Sequence, residues 1–83
     1  MSIFKNYKRS QIAEIREVEE YDIACFKAFG KIEYEISGII SISQADLDNG
    51  SPKMGDMIAR NPKNYKDQWL IAEQYFKDNF ENA

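Results

Sequence analysis

The chain has 83 residues, a formal net charge of −3 and an apolar share of 43%. That length holds one folded unit, residues 1–83, without room for a second core, and the composition excludes wholesale disorder. With no histidine and one cysteine, Cys25, the chain excludes a Ser-His-Asp or Cys-His catalytic site, a Cys/His zinc site and an internal disulfide.

No apolar run approaches the ~20 residues that a bilayer span needs. The opening "MSIFKNYKRS" is basic but has no apolar stretch behind it of the kind a signal peptide carries. These features lead to the expectation of a cytoplasmic protein.

In chain order, the first third is ambiguous. "SQIAEIREVEEYDIACFKAFG" places Ile12, Ile15 and Val18 at three-residue spacing among strong helix formers. Yet "QIAEIREV" also suits an edge strand carrying charges on its open face. The same stretch begins an acidic segment of Glu14, Glu17, Glu19, Glu20 and Asp22, relieved only by Arg16. Lys5, Lys8 and Arg9 precede it, and Lys27 and Lys31 follow. Such a band is ordinarily a solvated face, although it can also mimic nucleic-acid phosphates or dock on a basic protein. Next, Asp22 as cap, Ile23, Phe26 and Phe29 as stripe and Gly30 as C-cap predict a short helix. Cys25, among apolar neighbours, reads as a small hydrophobe.

"KIEYEISGIISIS" is the clearest strand. Ile32, Tyr34, Ile36, Ile40 and Ile42 share one parity, opposite Lys31, Glu33, Glu35, Ser41 and Ser43. Gly38 at its centre marks a bulge, a bend or a break into two strands. Ser43 then caps about one helical turn, with Asp46 in the place of a capping-box acid. Asn49-Gly50 ends that turn and Pro52 forbids continuing it. "GDMIA" is a short strand launched by Gly55, and "RNPKNYKD" a reversal set by Pro62, Asn61 and Asn64. "QWLIA" reads as the returning strand, with Trp69 and Ile71 on one face, followed by one or two helical turns holding Tyr75, Phe76 and Phe80. A single helix over 68–80, with Trp69, Ala72, Phe76 and Phe80 as its stripe, fits the same residues. Period alone leaves both readings open.

Paired carboxylates for acid–base work need a cleft and one raised pKa. The nominal pairs Asp46/Asp48 and Asp56/Asp67 lie at turns and strand starts, where Asp serves as a cap or turn former. "DLDNGSPKMGD" lacks the alternating oxygen ligands and closing Glu of a calcium loop, and "GSPKMGD" lacks the glycines and Lys-Ser/Thr of a phosphate cradle. Trp69, Tyr75, Phe76 and Phe80 read as core. The loop around Pro62 holds Arg60, Lys63, Asn64, Tyr65 and Lys66, a mixture of cations and a ring on a rigid turn that is enriched at recognition surfaces.

The run "GSPKMGDMIARNPKNYKDQWLIAEQYFKDNFE" resembles a family of small proteins encoded by tailed bacteriophages and prophages, with a likeness extending from about Ser41 to Glu81. The opening "YKRSQIAEIR" is similar to the "YRR-x-Q-x-AE-x-R" start of such proteins. Another group of short phage proteins, ending "GD-aromatic-I-V … YP-V-KPD-IF-x-x-x-YE", is similar over Gly55-Asp56, Trp69 to Ile71, Phe76 and Phe80. Its Pro would fall near Ala72-Glu73, which favours strand, break and short helix over one long helix.

The expected fold is therefore α+β: a short, mainly antiparallel sheet of three to five strands with one or two short helices. The resemblance, together with the missing catalytic residues, implies a non-enzymatic protein that binds a host protein in the cytoplasm of the infected bacterium. An inhibitor of the anti-CRISPR type is the natural example. No cofactor, metal, membrane contact or direct nucleic-acid binding is expected. Its candidate contacts are Arg60, Lys63, Asn64, Tyr65 and Lys66. The alternatives are an acidic nucleic-acid mimic using Glu14, Glu17, Glu19 and Glu20, or a structural or accessory component of the virion.

Overall fold

The computed structural model describes residues 4–8, 13–79 and 81–82. The elements run β1 (Lys5–Lys8), β2 (Ala13–Glu17), α1 (Glu20–Phe29), β3 (Glu33–Tyr34), β4 (Gly38–Ser41), α2 (Gln44–Asp48), β5 (Met57–Asn61), β6 (Asn64–Ile71), α3 (Glu73–Asn79) and β7 (Glu81–Asn82). The strands pair in the order β3-β4-β6-β5-β2-β1-β7. Five strands form the body of the sheet, and the two-residue β3 and β7 lie at its edges. Every pairing is antiparallel except β4 with β6, where Ile40 faces Gln68 and Ser41 faces Trp69. The α+β class and the mainly antiparallel sheet are as expected, with three helices where one or two were anticipated.

Neighbouring residues on a strand point to opposite faces, and here both faces are apolar. One face carries Val18, Ile32, Ile40, Ile58 and Leu70, covered by Ile23 and Phe26 of α1. The other carries Ala13, Ile15, Ala59 and Ile71, with Met57, Trp69 and Phe76 packed against them. A strand with both faces buried belongs in the middle of a sheet. That corrects the edge reading of "QIAEIREV": β2 lies between β5 and β1, with Ile15 opposite Ala59 and Glu14 opposite Arg60. Ile12 lies outside the described residues.

The core is aliphatic, which corrects the expectation that the carboxyl-terminal rings build it. Trp69 and Phe76 are half-buried at its margin and Tyr75 is 45% exposed; Phe80 lies outside the described residues. Branched aliphatic side chains fill the pleated faces of the central strands, and α3, only seven residues long, adds one ring to that packing. Phe29 is 72% exposed. Six residues beyond Ile23, it stands about 120° around the helix from it. Ile36 also departs from its predicted stripe. The strand breaks at Gly38, whose φ of +81° suits a residue without Cβ, and the 35–37 turn lifts Ile36 to 90% exposure.

Two buried aspartates tie these layers together. Asp22 is not the cap of α1. The helix begins earlier, at an N-cap Glu19, and Asp22 is the third helical residue, accepting from the Glu19 backbone N–H at 2.8 Å in a capping box. Its carboxylate also takes two bonds from the Arg16 guanidinium, at 2.7 and 2.9 Å, and one from the Tyr34 hydroxyl, joining α1, β2 and β3. Asp56 accepts from Ser51 Oγ (2.7 Å), Lys53 N (3.0 Å), Lys53 Nζ (2.8 Å) and Glu73 N (3.0 Å). It caps α3 from across the chain. Gly55 lets the loop come this close: its φ is +101°, and a Cβ there would lie 2.8 Å from the Glu73 carboxylate. Ser43 caps α2 as expected, accepting from Asp46 N at 3.1 Å.

Replacing Ile58, which is fully buried, by Ala should cost about 2–5 kcal/mol in urea unfolding. Phe29→Ala should change stability by less than about 1 kcal/mol. Burial alone pushes the carboxyls of Asp22 and Asp56 up, but the Arg16 and Lys53 bonds, with the other donors, outweigh it and hold both below the ordinary range. Because the folded values lie below the unfolded ones, this stabilisation is complete above about pH 4 and is lost as pH falls through the folded values. The urea midpoint should therefore drop below about pH 4, and Asp56→Asn should show a lower midpoint at neutral pH with a shallower acid decline.

Candidate functional site

The β5–β6 hairpin turns at Pro62-Lys63, with Lys63 N donating to Asn61 Oδ1 at 2.9 Å. Beyond the turn, the register breaks. Arg60 pairs with Gln68, but Asn61 pairs with Asn64, so Tyr65, Lys66 and Asp67 have no ladder partner on β5. They form an outward bulge on β6, a device that re-aims side chains. Asn64 Oδ1 accepts from Lys66 N at 3.2 Å and Asn61 Nδ2 donates to Asp67 Oδ2 at 3.4 Å, which fixes the bulge from within. Residues 62–67 are all exposed, Tyr65 at 51%.

The β3–β4 turn reaches the same place. Ile36 joins Pro62, Lys63, Asn64, Tyr65 and Lys66 around an open groove of about 410 Å³. An aliphatic side chain and a ring, rimmed by two lysines, are thus displayed together on two hairpin tips. The sequence alone points to Lys63, Asn64, Tyr65 and Lys66 but places Ile36 on the apolar stripe of a half-buried strand. The signal was Gly38: a break there turns the preceding residues into a reversal.

Arg60 has a different position from the other loop residues. Its guanidinium lies between the rings of Phe4, at 3.9 Å, and Tyr65, at 3.8 Å, and its Nε donates to Glu14 Oε1 at 2.7 Å. Cation–π stacking on both faces and an ion pair at the edge hold this side chain in the fold. Through it Tyr65 is held by one face. The role of Phe4 had no local signal in the sequence.

The acidic segment does not form one surface. Glu14 is paired with Arg60, Asp22 is buried on Arg16, and Glu19 closes the α1 capping box. Glu17 and Glu20 are exposed, but Glu17 ends β2 with a parity opposite to that of Glu14. The nominal catalytic pairs are also separated by role. Asp56 is buried and takes four donors, Asp67 is on the exposed bulge, and Asp48 accepts from Gln44 Nε2 at 2.9 Å. Cys25 is half-buried, its thiol directed at the Lys31 and Glu33 carbonyls. Among the described residues, no group of three or more Cys, Asp or Glu could hold a metal ion, and no helix is long and apolar enough to cross a membrane.

A double-mutant cycle on Glu14→Gln and Arg60→Gln, read by urea unfolding, should return a coupling of about 0.5–1 kcal/mol, as for a partly exposed cross-strand ion pair. A coupling of zero would show that Arg60 is held by the rings alone.

No protein-family model, curated protein or solved structure matches the chain.

Proposed function

We propose that this chain is a phage-encoded, non-enzymatic binding protein that acts in the cytoplasm of the infected bacterium by occupying a host protein. The contact surface is the 60–67 tip together with Ile36, and a counter-defence target of the anti-CRISPR kind is the example closest to the resemblance. The observation that carries the reading is the bulge that displays Tyr65 between Lys63 and Lys66 beside Ile36, which is 90% exposed. Apolar anchors ringed by polar groups are the usual composition of a binding centre. A tip held by its own turn bonds also loses little freedom when it docks. The acidic-mimic alternative has less support, because Glu14 and Asp22 are neutralised within the fold and Glu17 stands on another face.

Affinity purification from lysate of the natural host tests the proposal with four forms of the protein. The parent and a Glu17→Gln/Glu20→Gln variant should recover the same stoichiometric host protein. Ile36→Asp and Tyr65→Ala should each weaken that capture by about tenfold or more while the thermal midpoint stays within a few degrees. Capture indifferent to both tip substitutions would overturn the assignment of the surface. Loss in the glutamine variant alone would transfer it to the acidic segment, and stoichiometric protein in purified particles would make it a virion component.

A further inference from the structure

A second cleft, independent of the tip, lies between α2 and the junction of β6 with α3. It encloses about 370 Å³ and is lined by Ser43, Asp46, Trp69, Ala72 and Tyr75, among others. We propose that this cleft binds an organic cation, an ammonium group on a body the size of one amino-acid side chain.

The walls argue for the chemistry. Trp69 packs against the core through part of its surface and stays half-buried, and Tyr75 is 45% exposed at the same cleft. Tryptophan and tyrosine rings attract cations through their negative faces, and two of them beside an apolar floor accept an ammonium with its alkyl substituents. The carboxylate comes from Asp46. The sequence places it where a capping box would engage it, and Ser43 Oγ does accept from Asp46 N at 3.1 Å. The reciprocal bond is not formed, and among the described residues the Asp46 carboxylate has no hydrogen-bond or ion-pair partner. The lysines on the neighbouring segments are engaged elsewhere: Lys53 on Asp56 at 2.8 Å and Lys77 with Glu73 at 3.4 Å. Half-buried and bonded to no cation, with the Lys53 ammonium acting on it only weakly through space, Asp46 supplies the countercharge that an incoming cation lacks. The volume falls at the lower end of ligand sites, about 300 Å³, which suits one side chain or a small amine rather than a cofactor.

Trp69 is the only tryptophan, so its fluorescence reports on the cleft directly. The probes are choline, its uncharged isostere 3,3-dimethylbutan-1-ol, n-butylammonium and N-acetyl-lysine amide, with potassium chloride matching ionic strength. The cations should change the emission saturably at millimolar concentration, and the uncharged isostere should bind about tenfold more weakly or worse. Asp46→Asn should weaken choline binding by about tenfold, with the thermal midpoint within a few degrees because its carboxylate accepts no hydrogen bond in the fold and acts there only as a first-turn charge of α2. Tyr75→Leu should weaken the ammonium and leave the isostere unaffected. Tighter binding of the lysine amide than of butylammonium would assign the cation to a polypeptide, and the reverse would assign it to a free amine; either supports the site. An equal response to choline and its isostere, no saturation, or full retention by Asp46→Asn would overturn it.

Discussion

Asp56 has no exposed surface and accepts four hydrogen bonds, from Ser51, from the backbone and ammonium of Lys53, and from the backbone of Glu73. Its position gives those bonds their consequence. Asp56 immediately precedes β5, and Glu73 begins the helix just after β6. One carboxylate therefore clamps the two open ends of the central hairpin, where Met57 faces Ile71. With the base fixed, the opposite end of the hairpin can carry a three-residue register slip without unzipping the strands that make the core. The bulge itself is held by its own Asn61 and Asn64 bonds.

Arg16 and Asp22 perform the corresponding task for the other half of the sheet. Burying an ion pair removes two charges from water, and the net gain over apolar packing is small or negative. What the pair supplies here is position. The guanidinium satisfies the Glu17 carbonyl as well as Asp22, and Asp22 satisfies the Glu19 backbone and the Tyr34 hydroxyl. With those four partners met, α1 can lie on the sheet in one place only. Breaking one bond would strand several buried polar groups together.

Much of this architecture was legible where the signal is local. Ser43 as cap, Gly30 as the end of α1, the reversal at Pro62 and the parity of Ile32, Tyr34 and Ile40 all follow from a few adjacent residues. The failures share a cause. Glu14 and Arg60 are 46 residues apart, and no period or turn rule connects them. "QIAEIREV" suits an edge strand as well as a helix because its charges look outward-facing, yet one charge is neutralised by a distant arginine and another is buried on Asp22. Ile36 fits a perfect alternation until Gly38 breaks the strand beneath it. Ring size alone points to the core, whereas isoleucine, valine and leucine fill the pleated faces and leave the described rings at the margins. The candidate loop is legible in its composition; the groove it shares with Ile36 follows from the topology.

The same long-range pairings redistribute the charge that composition counts. A net charge of −3 describes the whole chain, but Arg60, Glu14, Arg16 and Asp22 cancel in pairs inside the fold. The lysines at the tip, Lys63 and Lys66, then stand on a molecule whose remaining charge is net negative, a polarity that would orient a partner approaching the proposed surface. Arg60 contributes to this surface without presenting its own charge. Flanked by two rings and held by Glu14, it fixes one face of Tyr65 and leaves the rest of that ring outward. An exposed aromatic held in this way can dock without first being ordered. The arginine that composition places among the candidate contacts therefore acts on Tyr65, positioning the ring that the proposal makes its anchor.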